Sequence, residues 1–271
     1  MVCEPAATGR RNKRYETSRE AAACESPPRK WRVSLSYEDG SRLSEGQLRD
    51  LLQAPNPSLH IGNMTKPLTL RGKHVHLEPL ERNHVEALAA AAAGGDPSLY
   101  RWSPVPQGTT EAASYIEAAL AWRDAGTAVP FVIVRPTERT VIGSTRFWNL
   151  EQWAWPQSHR SHSRSAPDAC EIGYTWFAPA AIRTAANTET KLLMLAYAFE
   201  VWKVLRVCFH TDVRNHRSRA ALERIGARYE GILRAHRMAA DHIPRDSVRY
   251  SIIAAEWPGV KQRLQTMADR V

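Results

Sequence analysis

The sequence predicts a mixed α/β domain of the α+β type, and three observations carry that expectation. Apolar runs of strand length follow helical patterns irregularly, in the order strand, two helices, three strands, helix, strand, helix, two strands. That order is not the regular alternation of a doubly wound parallel sheet. Residues 171–218 form a strand–turn–helix–strand unit that leads into a second helix, and both of its polar turns open helices. Free backbone N–H groups at such helix starts form a ready anion site.

Along the chain, residues 1–63 mix Arg, Glu, Ser and Pro, with weak apolar patches only at 31–35 and 48–52. Such a segment buries little apolar surface and should be largely disordered. Met64 opens a stretch that reads as a fresh protein start, so 1–63 is expected to be a dispensable extension and 64–271 the folded domain. Residues 68–80 alternate in part, Val75 and Leu77 against His74, His76 and Glu78, which predicts one strand. The Ala-rich stretch 81–93 predicts a helix stopped by Gly94 and Gly95. An irregular aromatic loop follows at 100–104. Residues 110–124 read as a helix with Thr110 at its N-cap and Gly126 beyond its end.

Residues 131–134 and 140–148 read as a strand pair joined by a turn at 136–139, and 150–168 as an inserted loop. The run 171–177 is rich in β-branched and aromatic residues and closes at Ala178-Pro179, which predicts a strand. Leu192, Leu193, Leu195, Ala196, Phe199 and Val201 recur near the helical period, so 188–202 should be an amphipathic helix. A strand at 205–211 comes next, then a helix (Ala220, Ala221, Leu222, Ile225) ending at Gly226. Strands at 227–236 and 246–254 and a short helix at 257–267 complete the reading.

At 271 residues with 43% hydrophobic content, the chain can bury a full core. Its 37 Lys and Arg outnumber 28 Asp and Glu, which favours a polyanionic partner, nucleic acid or a phosphorylated cofactor. The basic residues are spread along the chain, so a solvated surface explains them as well as a nucleic-acid stripe does. Nucleic acid is therefore not the expected partner. Cys3, Cys24, Cys170 and Cys208 lack paired metal spacing, which points to free thiols in a reducing, cytoplasmic compartment. No apolar run approaches the roughly 18 residues of a membrane span. Arg10, Arg11, Lys13 and Arg14 precede no apolar core, so no secretory signal is expected. His159 and His162 have no carboxylate or cysteine to complete a metal site, and no metal is expected.

Four pieces, taken in order and spacing, resemble the GNAT N-acetyltransferase superfamily, in particular its RimJ/RimL-like branch, over residues 68–255. They are Glu171-Ile172-Gly173-Tyr174; Thr188-Glu189 followed by Tyr197-Ala198-Phe199-Glu200; Asn215-His216-Arg217-Ser218; and 225–231 around Gly226. The resemblance implies a central mixed, mostly antiparallel twisted sheet flanked by helices. It also implies transfer of an acetyl group from acetyl-CoA to a primary amine by direct attack, the amine belonging to a protein N-terminus or a small molecule.

The resemblance assigns roles as well. The backbone of Tyr174, Thr175 and Trp176 would bond the pantetheine arm and polarise the thioester. Arg183, Thr184, Asn187 and Thr188 would receive the pyrophosphate at a helix start. Asn215 would bridge the pantetheine amide or cap a helix. Ser218 would protonate the leaving thiolate, and Glu171 would be the general base or an ion-pair partner. Trp102, Trp148 and Trp155 would line the acceptor pocket, or serve as ordinary core and loop aromatics. One departure stands out. Where the family carries Arg-Gly-x-Gly-x-Ala, this chain has Ile182-Arg183-Thr184-Ala185-Ala186-Asn187, with no glycine. Either side chains take over the contacts or cofactor binding weakens. In the second case the protein would be a catalytically degenerate ligand- or RNA-binding module. Assembly as a homodimer is left open.

Overall fold

The computed structural model describes residues 68–239 and 242–269. The predicted extension at 1–63 and its boundary at Met64 lie outside these residues. Eight strands form one sheet in the order β1-β2-β3-β4-β5-β6-β8-β7. They are β1 (Leu70–Arg71), β2 (His76–Pro79), β3 (Ala128–Arg135), β4 (Thr140–Glu151), β5 (Ala169–Phe177), β6 (Arg206–Asp212), β7 (Arg228–Met238) and β8 (Pro244–Ile253). All neighbours pair antiparallel except β5 and β6. That one parallel pair needs a long crossover, which a helix supplies. The mixed, mostly antiparallel sheet expected from the sequence is present.

Six α-helices complete the described fold: α1 (Val85–Ala93), α2 (Pro97–Tyr100), α3 (Gly108–Asp124), α4 (Ala186–Ala196), α5 (His216–Ile225) and α6 (Trp257–Ala268). The larger core fills one face of the sheet, where Met194, Leu195 and Ala198 from the α4 segment meet Phe147, Phe209 and Tyr250. The smaller core lies on the other face, where Leu88 of α1 and Ile116 and Leu120 of α3 cover Val132, Val134 and Trp176.

Several boundaries differ from the sequence reading, and three of them have a clear physical reason. The single strand expected at 68–80 is two short strands, because the turn between them is bound to α4. Backbone N–H groups of Lys73, His74 and Val75 donate to the buried Glu189 carboxylate at 2.8, 2.6 and 2.7 Å. A Cβ on Gly72 would meet that carboxyl carbon at 2.5 Å, so glycine admits the approach. Thr110 is not the N-cap of α3. The helix starts at Gly108 after Gln107, whose N–H donates to Glu111 at 2.8 Å. The helix expected at 188–202 begins at Ala186, because the Thr184 hydroxyl accepts from the Ala186 N–H at 3.2 Å. Its last turn, Tyr197–Val201, widens to a π-helix beside Phe147, which stands 4.6 Å from the Trp202 ring.

Candidate active site

Strands β5 and β6 pair for only three residues, Ala169–Arg206, Cys170–Val207 and Glu171–Cys208. They then part, which leaves the β6-facing backbone edge of β5 beyond Glu171 without a strand partner. Beside the parting, the register of β5 against β4 slips between Ser144 and Arg146. Tyr174 takes a left-handed backbone at φ 53°. A non-glycine residue there costs about 1–2 kcal/mol. The bulge turns Tyr174 toward Trp148 and Thr175 toward α4, as their contacts show. Gly173 is required at this point, since a Cβ would meet Trp148 Nε1 at 2.8 Å. Trp176 is buried against α1 and α3, so its side chain belongs to the small core and only its backbone faces the parting.

The loop that opens α4 keeps a sharp turn without glycine. Arg183, standing where the family has its first glycine, adopts φ 64°. The Thr184 hydroxyl donates to the Ala181 carbonyl at 2.7 Å while capping Ala186. The first intrahelical bond runs from Glu189 N–H to the Ala185 carbonyl, so the N–H groups of Asn187 and Thr188 precede the helical ladder. At the end of β6, the Asn215 side chain accepts from the Ser218 N–H at 3.0 Å and caps α5. The cap anticipated as one reading of Asn215 is therefore formed. Ser218 sits half-buried in that first turn.

Glu171 is buried on the sheet face away from α4. Its Oε2 lies 2.9 Å from His210 Nδ1, off the line of a hydrogen bond, and accepts from Arg237 Nη2 at 3.3 Å. The Arg237 guanidinium lies 4.2 Å above the Trp148 ring. Trp148 stacks with Trp122 and meets Tyr174 edge-on, at 6.1 and 5.3 Å. His236 is 4.9 Å from His210 between ring centres. Burial, then the charges of Arg237 and His210, push its pKa down to about 4, so it is neutral near pH 7. Burial raises the Tyr174 phenol despite the opposing charges of Arg146 and Arg237, so it stays protonated.

On the α4 side of β5 a second polar group is enclosed. Lys191 Nζ donates to the Thr175 hydroxyl at 2.8 Å, and that hydroxyl lies 2.8 Å from the one on Thr145. Burial alone lowers the Lys191 pKa to about 7.

The predicted site residues therefore fall into groups. Glu171, Tyr174, Thr175 and Trp148 surround the parting, Arg183, Thr184, Asn187 and Thr188 the start of α4, and Asn215 and Ser218 the start of α5. Trp102 lies beside that last group, 4.0 Å under the Arg214 guanidinium. Trp155 makes its ring contacts within the insertion, 4.1 Å from His159 and 5.8 Å from Trp153. Sequence reasoning missed His210, Arg146, Arg237 and Lys191. His210 stands two residues beyond Cys208 on the face that Glu171 shares, a placement that only the cross-strand register decides. Among the described residues no group of His, Cys, Asp and Glu could hold a metal ion, and no helix is long and apolar enough to cross a membrane.

The model of the acetyltransferase (GNAT) domain matches residues 74–228, more than half of the chain. The chain belongs to the GNAT acetyltransferase family. The "Putative ribosomal N-acetyltransferase YdaF" of Bacillus subtilis (strain 168) is 27% identical over 70% of this chain and 96% of its own length. A solved "putative acetyltransferase" from T. thermophilus is 34% identical, covers 75% of this chain and 98% of its own, and superposes with a TM-score of 0.59. Mycobacterium smegmatis RimJ in complex with CoA-disulfide shares the fold at 23% identity and a TM-score of 0.59, over 74% of this chain and 93% of its own. These likenesses agree with the RimJ/RimL-like branch of the family.

Proposed function

We propose that this GNAT protein is an N-acetyltransferase that moves an acetyl group from acetyl-CoA to a primary amine by direct attack. The observation that carries the reading is the parting of β5 from β6 after Glu171, with the Tyr174 bulge on its edge. Backbone donors fixed there, at Tyr174, Thr175 and Trp176, suit a thioester carbonyl whose oxygen gains charge during attack. The start of α4 suits the pyrophosphate, with Arg183 and Asn187 adding side-chain donors to the helix N–H groups. The left-handed Arg183 supplies the turn that a glycine gives elsewhere in the family. A RimJ of the same fold holding CoA-disulfide supports a CoA-type donor.

Glu171 takes the amine's proton, directly or through water, with His210 and Arg237 fixing its carboxylate. Ser218, at the first turn of α5, returns a proton to the leaving thiolate. Asn215 uses its side-chain oxygen for the cap and keeps its amide N–H2 for the pantetheine arm. Trp148 forms part of the acceptor wall, as does Trp102 near the α5 end. The ribosomal designation of YdaF favours a protein or peptide amine over a small-molecule one.

Calorimetric titration of acetyl-CoA tests the reading, with Arg183→Ala as control. Micromolar affinity weakened by the substitution is the expected result. No binding at millimolar acetyl-CoA would sink it and leave a degenerate ligand- or RNA-binding fold, whose RNA affinity would fall steeply with salt.

A further inference from the structure

The acceptor side of the sheet carries more positive charge than its own carboxylates balance. Arg237 and Arg245 stand directly opposite each other on β7 and β8, a like-charged cross-strand pair that is unfavourable by itself. Among the described residues, the carboxylates of this face are already engaged. Glu171 is shared between His210 and Arg237, Asp212 holds Arg214 at 2.8 Å, and Glu230 lies between Arg206 and Arg249. Arg245 bonds only a hydroxyl here, Nε to Ser247 Oγ at 3.2 Å. Burial, and then the charge of Arg237, depress its pKa below the ordinary guanidinium value.

A third guanidinium lies behind the aromatic wall. Arg146 is 1% exposed, and its Nε and Nη2 have no hydrogen-bond partner among the described residues. The rings of Tyr174, Tyr115 and Trp122 enclose it at 4.2, 4.8 and 5.2 Å. Ring faces offset part of a buried cation's desolvation cost, but they do not replace an anion. Tyr174 separates Arg146 from the hairpin arginines, and its phenol feels the charges of both Arg146 and Arg237. Arg237 bonds Glu171, Arg245 stands opposite Arg237, and Arg146 lies against the Tyr174 ring. A polyamine or lysine-rich tail would add charge of the wrong sign there.

We propose that the acceptor is a primary amine with a carboxylate close to it, the carboxylate received by Arg237 and Arg245 in front of Arg146 while the amine meets Glu171. This rests on the acetyltransferase reading and names its substrate class. A carboxylate meeting two guanidiniums forms charge-assisted hydrogen bonds and relieves the Arg237–Arg245 repulsion. Bound so, it shares Arg237 with Glu171, which stays held beside His210 as it meets the amine. The carboxylate can be an acidic side chain next to a peptide N-terminus or the α-carboxylate of a free amino acid.

The test uses the full chain loaded with CoA for binding and with acetyl-CoA for turnover. One arm compares a peptide whose second residue is glutamate with the same peptide carrying glutamine or lysine. The other arm compares free glutamate with its amides. In one of the arms the anionic member should bind at least about tenfold tighter and show a correspondingly higher kcat/KM, the scale of a hydrogen bond to a charged group. The arm that shows the difference identifies the source of the carboxylate. Arg245→Gln should bring the two members within about threefold of each other. The wild-type comparison stands alone if that variant does not fold. Equal use of the anionic and neutral members, preference for lysine, or no binding of any member overturns the proposal. Acetyl-CoA titration in the same samples separates the failures: binding with indifferent acceptors removes only this proposal, whereas no binding removes the acetyltransferase reading as well.

Discussion

On one face of β5, Glu171 shares its carboxylate with His210 and Arg237; on the other, Lys191 has the Thr175 hydroxyl as its hydrogen-bond partner among the described residues. Both side chains are buried and both adjoin the strand that bulges at Tyr174. The first sets a carboxylate beside the Arg237 guanidinium and the His210 ring. The second lowers its cost by giving up the proton near neutral pH. The difference suggests a division of labour. A site that must take a proton from an amine needs a held carboxylate. A site that only braces the bulge through Thr175 is served by a neutral amine.

Breaking the charged face should have the larger effect. Glu171→Gln keeps the size of the side chain and its contact with Arg237 but removes the proposed base, so kcat/KM should fall by roughly 100-fold or more. Acetyl-CoA affinity should stay within a few-fold, because the contacts proposed for the pyrophosphate and pantetheine lie elsewhere. Steady-state kinetics with the preferred acceptor, beside cofactor titration, reads both quantities. Near-normal turnover would make Glu171 an ion-pair residue only.

The opposite face yields to a pH experiment. Lys191 is depressed to about 7 in the fold and titrates near its ordinary 10.5 when unfolded. Between those values the unfolded chain holds a proton that the folded chain has released, so stability rises with pH across that window. Below pH 7 the folded lysine is charged as well, and its contribution stays at its least favourable. Compared with Lys191→Met, the wild type should gain about 2 kcal/mol between pH 7 and pH 9. Denaturant unfolding of both proteins at the two pH values measures it. Parallel curves would mean that Lys191 keeps its proton through a partner or water.

The start of α4 should respond less. Thr184→Ala removes the hydroxyl that accepts from Ala186 N–H and donates to the Ala181 carbonyl. Losing the hydroxyl and its two local hydrogen bonds costs about 1 kcal/mol. The same unfolding assay detects it, and no change would mean that water replaces the hydroxyl.

How far these features could be read in advance depended on their range. The β5 strand, its neighbouring helices and the Asn215 turn were legible because each is a local pattern of seven to fifteen residues. The break at Gly72 was not, since it comes from Glu189, more than a hundred residues along the chain. The α4 start slipped by two residues because the capping hydroxyl belongs to Thr184, before the apolar period begins. On the site, Glu171, Asn215 and Ser218 came from motif resemblance. His210, Arg237 and Arg146 stayed hidden because their meaning lies in cross-strand register, which periodicity within one strand does not fix. Lys191 carries no sequence signal of its own, and only packing against Thr175 and Phe209 shows it enclosed.

The smallest effect on stability should come from Arg183, and it sharpens the comparison most. Its φ of 64° costs about 1 kcal/mol for a side-chain residue, which glycine would relieve. Glycine also frees the unfolded chain by about 0.4–1 kcal/mol, so Arg183→Gly should change stability by well under 1 kcal/mol. Arg183→Ala keeps the strain, and both variants lose the guanidinium. If the guanidinium itself holds the pyrophosphate, both variants should weaken acetyl-CoA binding by a similar factor, on the order of tenfold. If the left-handed turn alone is what matters, both variants should bind as the wild type does, since glycine adopts the turn freely and alanine keeps it. Calorimetry on the three proteins decides whether this chain replaced a glycine's backbone freedom with a strained arginine alone, or with a strained arginine that also supplies a phosphate contact.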